Sequence, residues 1–159
     1  MDTFHRKPLP PSCIAFASKE GRGRFASAIA QSTADPYFAL GEQFRTQEEP
    51  AYCGLSTLVM VMNAMAIDPG RVWKGVWRWF HEEMLNCCKP LADVKREGVG
   101  LAEFCCLARC NGAEAAQFAG AEVSLEQFRA RVVECSRDQQ AGFLCLNYNR
   151  AVLDQTGTG

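Results

Sequence analysis

From Gly54 onward the apolar residues Leu55, Leu58, Val59, Met62 and Met65 recur at i, i+3, i+4, i+7 and i+10, the stripe of a helix with one buried face. Asp68-Pro69-Gly70 closes that helix with a turn signal, and Cys53 stands at its N-terminal end. Upstream, Glu20 to Gln31 reads as a helix with Phe25, Ile29 and its alanines on one side. Asp35 or Pro36 opens a short second one through Leu40. Gly41 to Ala51 is predicted to be extended, because Pro50 turns its predecessor away from helix.

Downstream, Glu82 to Leu85 and Leu91 to Arg96 are predicted short helices. Leu101 to Cys110 is a longer one, stopped by Asn111-Gly112, which suits a left-handed cap. Ser124-Leu125-Glu126-Gln127 is a capping box and starts a helix running to about Glu134. Gly142 to Tyr148 and Ala151 to Leu153 read as strands from their apolar and aromatic content. Helices first and strands late make an α+β plan.

The 159 residues suit one domain, or part of one, and 48% hydrophobic with 22% charged residues is the balance of a soluble globular chain. A net charge of -1 gives no electrostatic attraction to nucleic acid or an anionic membrane, so neither partner is expected. Residues 1–12 are polar and Pro-rich, the pattern of a flexible tail and not of a secretory signal. The apolar stretch Leu58 to Met62 is interrupted by Asn63 and is too short to span a bilayer. Nine cysteines form an odd set, and the adjacent pairs Cys87-Cys88 and Cys105-Cys106 are poor material for a disulfide framework. Free thiols in a reducing, cytoplasmic setting are the expectation.

A thiol at the start of a helix faces backbone N–H groups and the positive end of the macrodipole, which favour thiolate as nucleophile. Gln47, six residues upstream, could place its amide beside the sulfur and donate to a developing oxyanion, with the Cys53 N–H as second donor. That pair alone is weak, since a cysteine at a helix start is ordinarily a small hydrophobe.

The flanking residues add to it. Thr46-Gln47-Glu48-Glu49-Pro50-Ala51-Tyr52-Cys53-Gly54-Leu55 resembles the catalytic domain of eukaryotic phytochelatin synthases. So do Asn63-Ala64, Ile67-Asp68-Pro69-Gly70-Arg71, Trp73-Lys74-Gly75, Trp77-Arg78-Trp79-Phe80 and Gln155-Thr156-Gly157-Thr158-Gly159. The resemblance runs through the whole chain and is loosest from Ala113 to Arg137. It implies a papain-like α+β fold, of which residues 1–159 would be the N-terminal portion: the nucleophile-helix lobe and the first strands of the sheet lobe. It also implies an aminoacyltransferase that moves a γ-glutamylcysteinyl group from glutathione to a second glutathione or a growing phytochelatin, in heavy-metal detoxification. By position, Cys53 would be the nucleophile and Gln47 the oxyanion donor. Asn147 and Arg150 would face substrate, with Arg150 pairing a carboxylate. The family's catalytic His follows the Thr-Gly-Thr-Gly string and its Asp lies further on. This chain stops at Gly159 and carries only His5 and His81, so the expectation is a polypeptide inactive by itself. His81 reads as an ordinary surface histidine.

The same resemblance brings in cadmium or zinc, either bound by the protein or only as the glutathione-thiolate complex that serves as substrate. On a helix Cys106 and Cys110 share a face and could pinch one soft ion, although no Cys-x2-Cys pair or Cys/His quartet is present. Packed core cysteines are the default. Two rivals remain open: a glutathione-conjugate or γ-glutamyl peptidase that resolves the acyl-enzyme with water, and a non-catalytic metal-binding module built on Cys87, Cys88, Cys106 and Cys110. The partners implied are glutathione, phytochelatins and soft metal ions, with a homodimer as a further expectation.

Overall fold

The structure, a computed structural model, describes residues 8–154, which fall into two compact units: residues 8–34 with 146–154, and residues 35–145. Residues 1–7 of the expected tail and the Gln155–Gly159 string lie outside the described residues.

In the first unit, α1 (Lys19–Ala30) starts where the Ser18 hydroxyl accepts from the Gly21 N–H at 3.0 Å, satisfying one of the free donors of the first turn. Phe25 on this helix meets Phe16 edge to face, with ring centroids 5.4 Å apart.

The second unit is built on α3 (Cys53–Ala64), whose buried face carries Leu55, Leu58, Val59 and Met62 of the predicted stripe, while Met65 is the C-cap and is exposed. Leu55, Leu58, Val59 and Met62 pack with Val94 of α4 (Leu91–Glu97), with Leu107 and Ala108 of α5 (Leu101–Cys110), and with Tyr52, Phe80 and Leu85. Each large aliphatic side chain so buried contributes about 1.5–3 kcal/mol. Asn63, the polar break in the stripe, also points inward: its amide donates to the Phe80 carbonyl at 3.2 Å and accepts the Phe80 N–H at 2.9 Å. The loop from 66 to 80 is thereby pinned to the helix with both buried backbone groups satisfied. The short α2 (Asp35–Gly41) precedes this core. α6 (Leu125–Arg137) is held at its start by the predicted capping box, Ser124 Oγ taking the Gln127 N–H and Gln127 Oε1 the Ser124 N–H, and none of its residues is buried.

Two glycines serve the entry to α3. A Cβ at Gly54 would lie 2.2 Å from Val99 Cγ2, so glycine is what lets the α4–α5 turn close over the helix start. Gly98 makes that turn with φ +73°, a left-handed conformation that costs a side-chain-bearing residue energy.

Two expectations are corrected. Among the described residues no strand forms: the segment 142–148 has no regular secondary structure, and Arg150–Leu153 is a 3₁₀ turn whose start is capped by Asn149 Oδ1 on the Ala151 N–H at 2.9 Å. An apolar, aromatic segment becomes a strand only when a neighbouring strand pairs with it in a ladder, and no such ladder forms among the described residues. The described chain is therefore helical with long loops, and the sheet lobe of an α+β plan is not seen in it. Second, the thiols are not all free. Cys88 and Cys106 form a disulfide with Cα atoms 6.2 Å apart, a separation within the normal range, because α5 runs alongside the segment that precedes α4. Its members come one from each vicinal pair. Cys106 is thus not available to share an ion with Cys110 while the bond is intact. No described helix is long and apolar enough to cross a membrane.

Candidate active site

Cys53 is the first residue of α3 and is exposed, while the residues on both sides of it in space are fixed. Tyr52, at the N-cap, is buried, and its N–H donates to the Glu49 carbonyl at 2.9 Å. Burial, and after it the charge of Glu49, push the Tyr52 phenol above its usual range, with Lys95 opposing. Lys95 of α4 forms an ion pair with Glu49, which raises the lysine and ties α4 to the approach to the helix. Downstream the Thr57 hydroxyl donates to the Cys53 carbonyl at 2.8 Å.

Gln47 lies on the same turn, but its amide is turned inward. Nε2 donates to the carbonyls of Glu49 and Pro50, both at 2.8 Å. Glu49 O therefore accepts from Gln47 Nε2 and from the Tyr52 N–H together, and Gln47 clamps the turn that delivers Cys53. Both amide hydrogens are engaged, so donation to an oxyanion requires one of them to leave a loop carbonyl. Asn147 and Arg150 belong to the other unit. Both are exposed, Asn147 outside any regular element and Arg150 at the first position of the 3₁₀ turn instead of on a strand.

Behind the turn lies a polar cluster that neither periodicity nor motif spacing announced. Glu82 is 0% exposed. Its Oε2 accepts from Arg45 Nη2 at 3.1 Å and from the Glu48 N–H at 3.3 Å, while Oε1 is buried without a hydrogen-bond partner among the described residues. His81 is buried too, which corrects its reading as a surface residue. Its Nδ1 accepts the Glu83 N–H at 3.3 Å, leaving Nε2 to donate to Glu48 Oε1 at 3.0 Å. The ring stacks on Trp73 with centroids 3.7 Å apart. Glu48, His81 and Glu82 bring one ligand atom each within 4.8 Å of one another, yet the Arg45 guanidinium already sits against Glu82 and supplies the positive charge there. The cluster holds residues 45–48, and so Gln47, from beneath.

A second group of side chains gathers Cys87, Cys88 and Cys110, with sulfurs within 4.8 Å of one another. Asn111 Nδ2 donates to Cys87 Sγ at 3.4 Å. Desolvation, then the hydrogen bond and charge of Cys110, hold the Cys87 thiol above its ordinary value. Cys105 is buried, and burial pushes Cys145, which lies near it, up to about 11.

Comparison with known proteins bears on the exposed cysteine and its turn. The family model for phytochelatin synthase matches residues 4–159. The chain belongs to the phytochelatin synthase family. Among its relatives, a glutathione gamma-glutamylcysteinyltransferase of Schizosaccharomyces pombe is 43% identical over 157 residues, covering 99% of this chain and 38% of that protein. Glutathione gamma-glutamylcysteinyltransferase 3 of Lotus japonicus is 47% identical over 98% of this chain and 33% of its own length. Glutathione gamma-glutamylcysteinyltransferase 1 of Arabidopsis thaliana is 44% identical over 100% of this chain and 33% of its own length. The chain thus spans about a third of the length of these relatives.

Proposed function

We propose that Cys53 is the acylated nucleophile of a glutathione γ-glutamylcysteinyl transferase. The observation that carries this reading is an exposed thiol at the first position of a core helix, delivered by a turn that Gln47 clamps, in a chain matched by the family model over residues 4–159.

In this reading the Cys53 sulfur attacks the carbonyl of the Cys–Gly peptide of glutathione. The carbon–nitrogen bond breaks, glycine leaves with a proton, and the γ-glutamylcysteinyl group remains as a thioester until an amino group of a second glutathione or a phytochelatin takes it. Gln47 exchanges one loop carbonyl for the oxyanion, joined by the Cys53 N–H. The resemblance assigns Arg150 to a substrate carboxylate and Asn147 to a substrate-facing segment. A soft metal such as cadmium or zinc enters as part of the substrate, as its glutathione thiolate. The buried helix headed by a cysteine is what supports a papain-like scaffold. Seven unpaired cysteines against one disulfide support a cytoplasmic enzyme, and a homodimer remains part of the reading.

The proton for the leaving glycine needs a donor. His5 lies outside the described residues, and His81 is buried against Glu48, Glu83 and Trp73, with no described contact to Cys53. The test therefore uses a γ-glutamylcysteine thioester, whose thiolate leaving group needs no such proton. Peptide mass spectrometry should find Cys53 acylated ahead of the other thiols, with the label lost in Cys53→Ser. Labelling spread evenly over the exposed cysteines would overturn the reading. Acylation of Cys53 followed by release only to water, with glutathione present as acceptor, would favour the hydrolase instead.

A further inference from the structure

His81 is buried between the turn that delivers Cys53 and the 3₁₀ turn Glu82–Met84, and the reaction proposed above gives it no part. Trp73 covers one face of its ring, with centroids 3.7 Å apart, so the imidazole cannot swing aside without unstacking. Nδ1 must stay bare to accept the Glu83 N–H, and Nε2 must carry the proton it gives to Glu48 Oε1. Glu48 is the residue after Gln47, and its own N–H is held by Glu82 Oε2 at 3.3 Å. The peptide that follows Gln47 is thus fixed at its N–H by Glu82 and at the adjoining side chain by His81.

A second proton on the ring meets two obstacles. Nδ1–H would face the Glu83 N–H, donor against donor, because Glu83 Oε2 lies 3.9 Å away and is already taken by Trp73 Nε1 at 2.6 Å and Lys74 Nζ at 3.4 Å. The imidazolium would also stand beside the Arg45 guanidinium, whose Nη2 is 3.4 Å from Nε2. Charge alone does not forbid the proton, since the carboxylates of Glu48, Glu82 and Glu83 outnumber the cations Arg45 and Lys74 around the ring. The hydrogen bonds in place do.

We infer that His81 is a positioning residue for the Gln47 turn, effective only while its imidazole is neutral, so that the oxyanion donor loses its geometry as pH falls. Protonation releases the Glu83 N–H and pushes Arg45 from its place beside Glu48 and Glu82, and the turn slackens. The role of Gln47 is taken from the transferase reading; the link from His81 to the turn is observable without it.

The test compares, from about pH 8 to 5, the rate of Cys53 acylation by the γ-glutamylcysteine thioester with its rate of alkylation by iodoacetamide. Both need the Cys53 thiolate, so its own titration cancels in the ratio, and only acylation develops an oxyanion. In the wild-type chain the ratio should fall by roughly 10–100-fold. His81→Gln, which keeps a donor for Glu48 and takes no second proton, should give a ratio independent of pH, and His81→Ala a low ratio throughout. Alongside, NMR of the chain with isotope-labelled histidine reads the ring directly. Of the two histidines, His5 and His81, the second should be the Nε2–H form at the alkaline end and doubly protonated at the acid end. The side-chain amide signal of Gln47, assigned by its loss in Gln47→Ala, should move with the same midpoint. Should the His81 variants fold poorly, the wild-type ratio and these two signals decide together. A ratio flat in pH while His81 titrates, a ring that stays neutral throughout, an Nδ1–H tautomer, or a Gln47 signal that ignores the ring would overturn the inference. If Cys53 resists the thioester at every pH while the Gln47 signal still follows His81, the transferase reading fails and the coupling of His81 to the turn stands.

Discussion

Arg45 Nη2 lies 3.1 Å from Glu82 Oε2, joining the loop that carries Gln47 to a carboxylate with no solvent exposure of its own. Removing the guanidinium leaves a buried negative charge uncompensated, which typically costs about 3–5 kcal/mol, whereas replacing both partners by apolar groups is often tolerated. Arg45→Met should lower the free energy of urea unfolding by roughly that amount. The double change Arg45→Met with Glu82→Leu should recover most of it. A double variant no more stable than Arg45→Met would mean that the pair does not act as a unit.

Gly54→Ala tests the closure over the helix start. The new methyl would meet Val99 Cγ2 at 2.2 Å, so either Val99 or the first turn of α3 must move. Overpacking of this kind costs about 1–3 kcal/mol. Adding Val99→Ala should restore the thermal midpoint. If Gly54→Ala is neutral alone, the turn from α4 to α5 is looser than the contact implies.

Cys145 makes stability depend on alkaline pH. Its folded value of about 11 lies above the ordinary 9.0, so the folded state keeps a proton that the unfolded state gives up. The contribution is complete below pH 9.0 and is lost as pH rises through about 11. The loss amounts to roughly 2–3 kcal/mol. Urea unfolding of the chain in anaerobic buffer should show this fall, and Cys145→Val should flatten it. An unchanged slope in the variant would assign the effect to other groups.

Gln47→Ala separates the clamp from the chemistry. If the amide also stabilises the oxyanion, acylation of Cys53 by the thioester should slow by about 10²–10³-fold. Alkylation of the same cysteine by iodoacetamide, which develops no oxyanion, should change far less. Equal slowing of both reactions would show that Gln47 only shapes the turn.

What could be read from the chain in advance followed the range of the interactions. The α3 stripe and the bounds of α5 rest on residues within one or two turns of each other, and both were legible, as was the Ser124 capping box. Glu82 was not, because its burial depends on Arg45, 37 positions away, and on a backbone N–H that no pattern marks. The Cys88–Cys106 bond joins positions 18 apart through the way two segments cross. Asn63 was visible only as a break in an apolar run. Its meaning appears with Phe80, whose two backbone groups it satisfies. The segments 142–148 and 151–153 carried strand-like composition, but composition does not supply the neighbour that a strand needs. At the site, the position of Cys53 followed from the stripe, and the inward turn of the Gln47 amide did not.

The stacking of Trp73 on His81 has a practical consequence. An indole in face contact with an imidazole has its emission quenched, and the neighbouring Trp77 and Trp79 are exposed enough to respond mainly to solvent. Intrinsic fluorescence should therefore contain one component that brightens as the rings separate, giving an optical signal for the integrity of the polar cluster beneath Gln47 without any label attached to a cysteine.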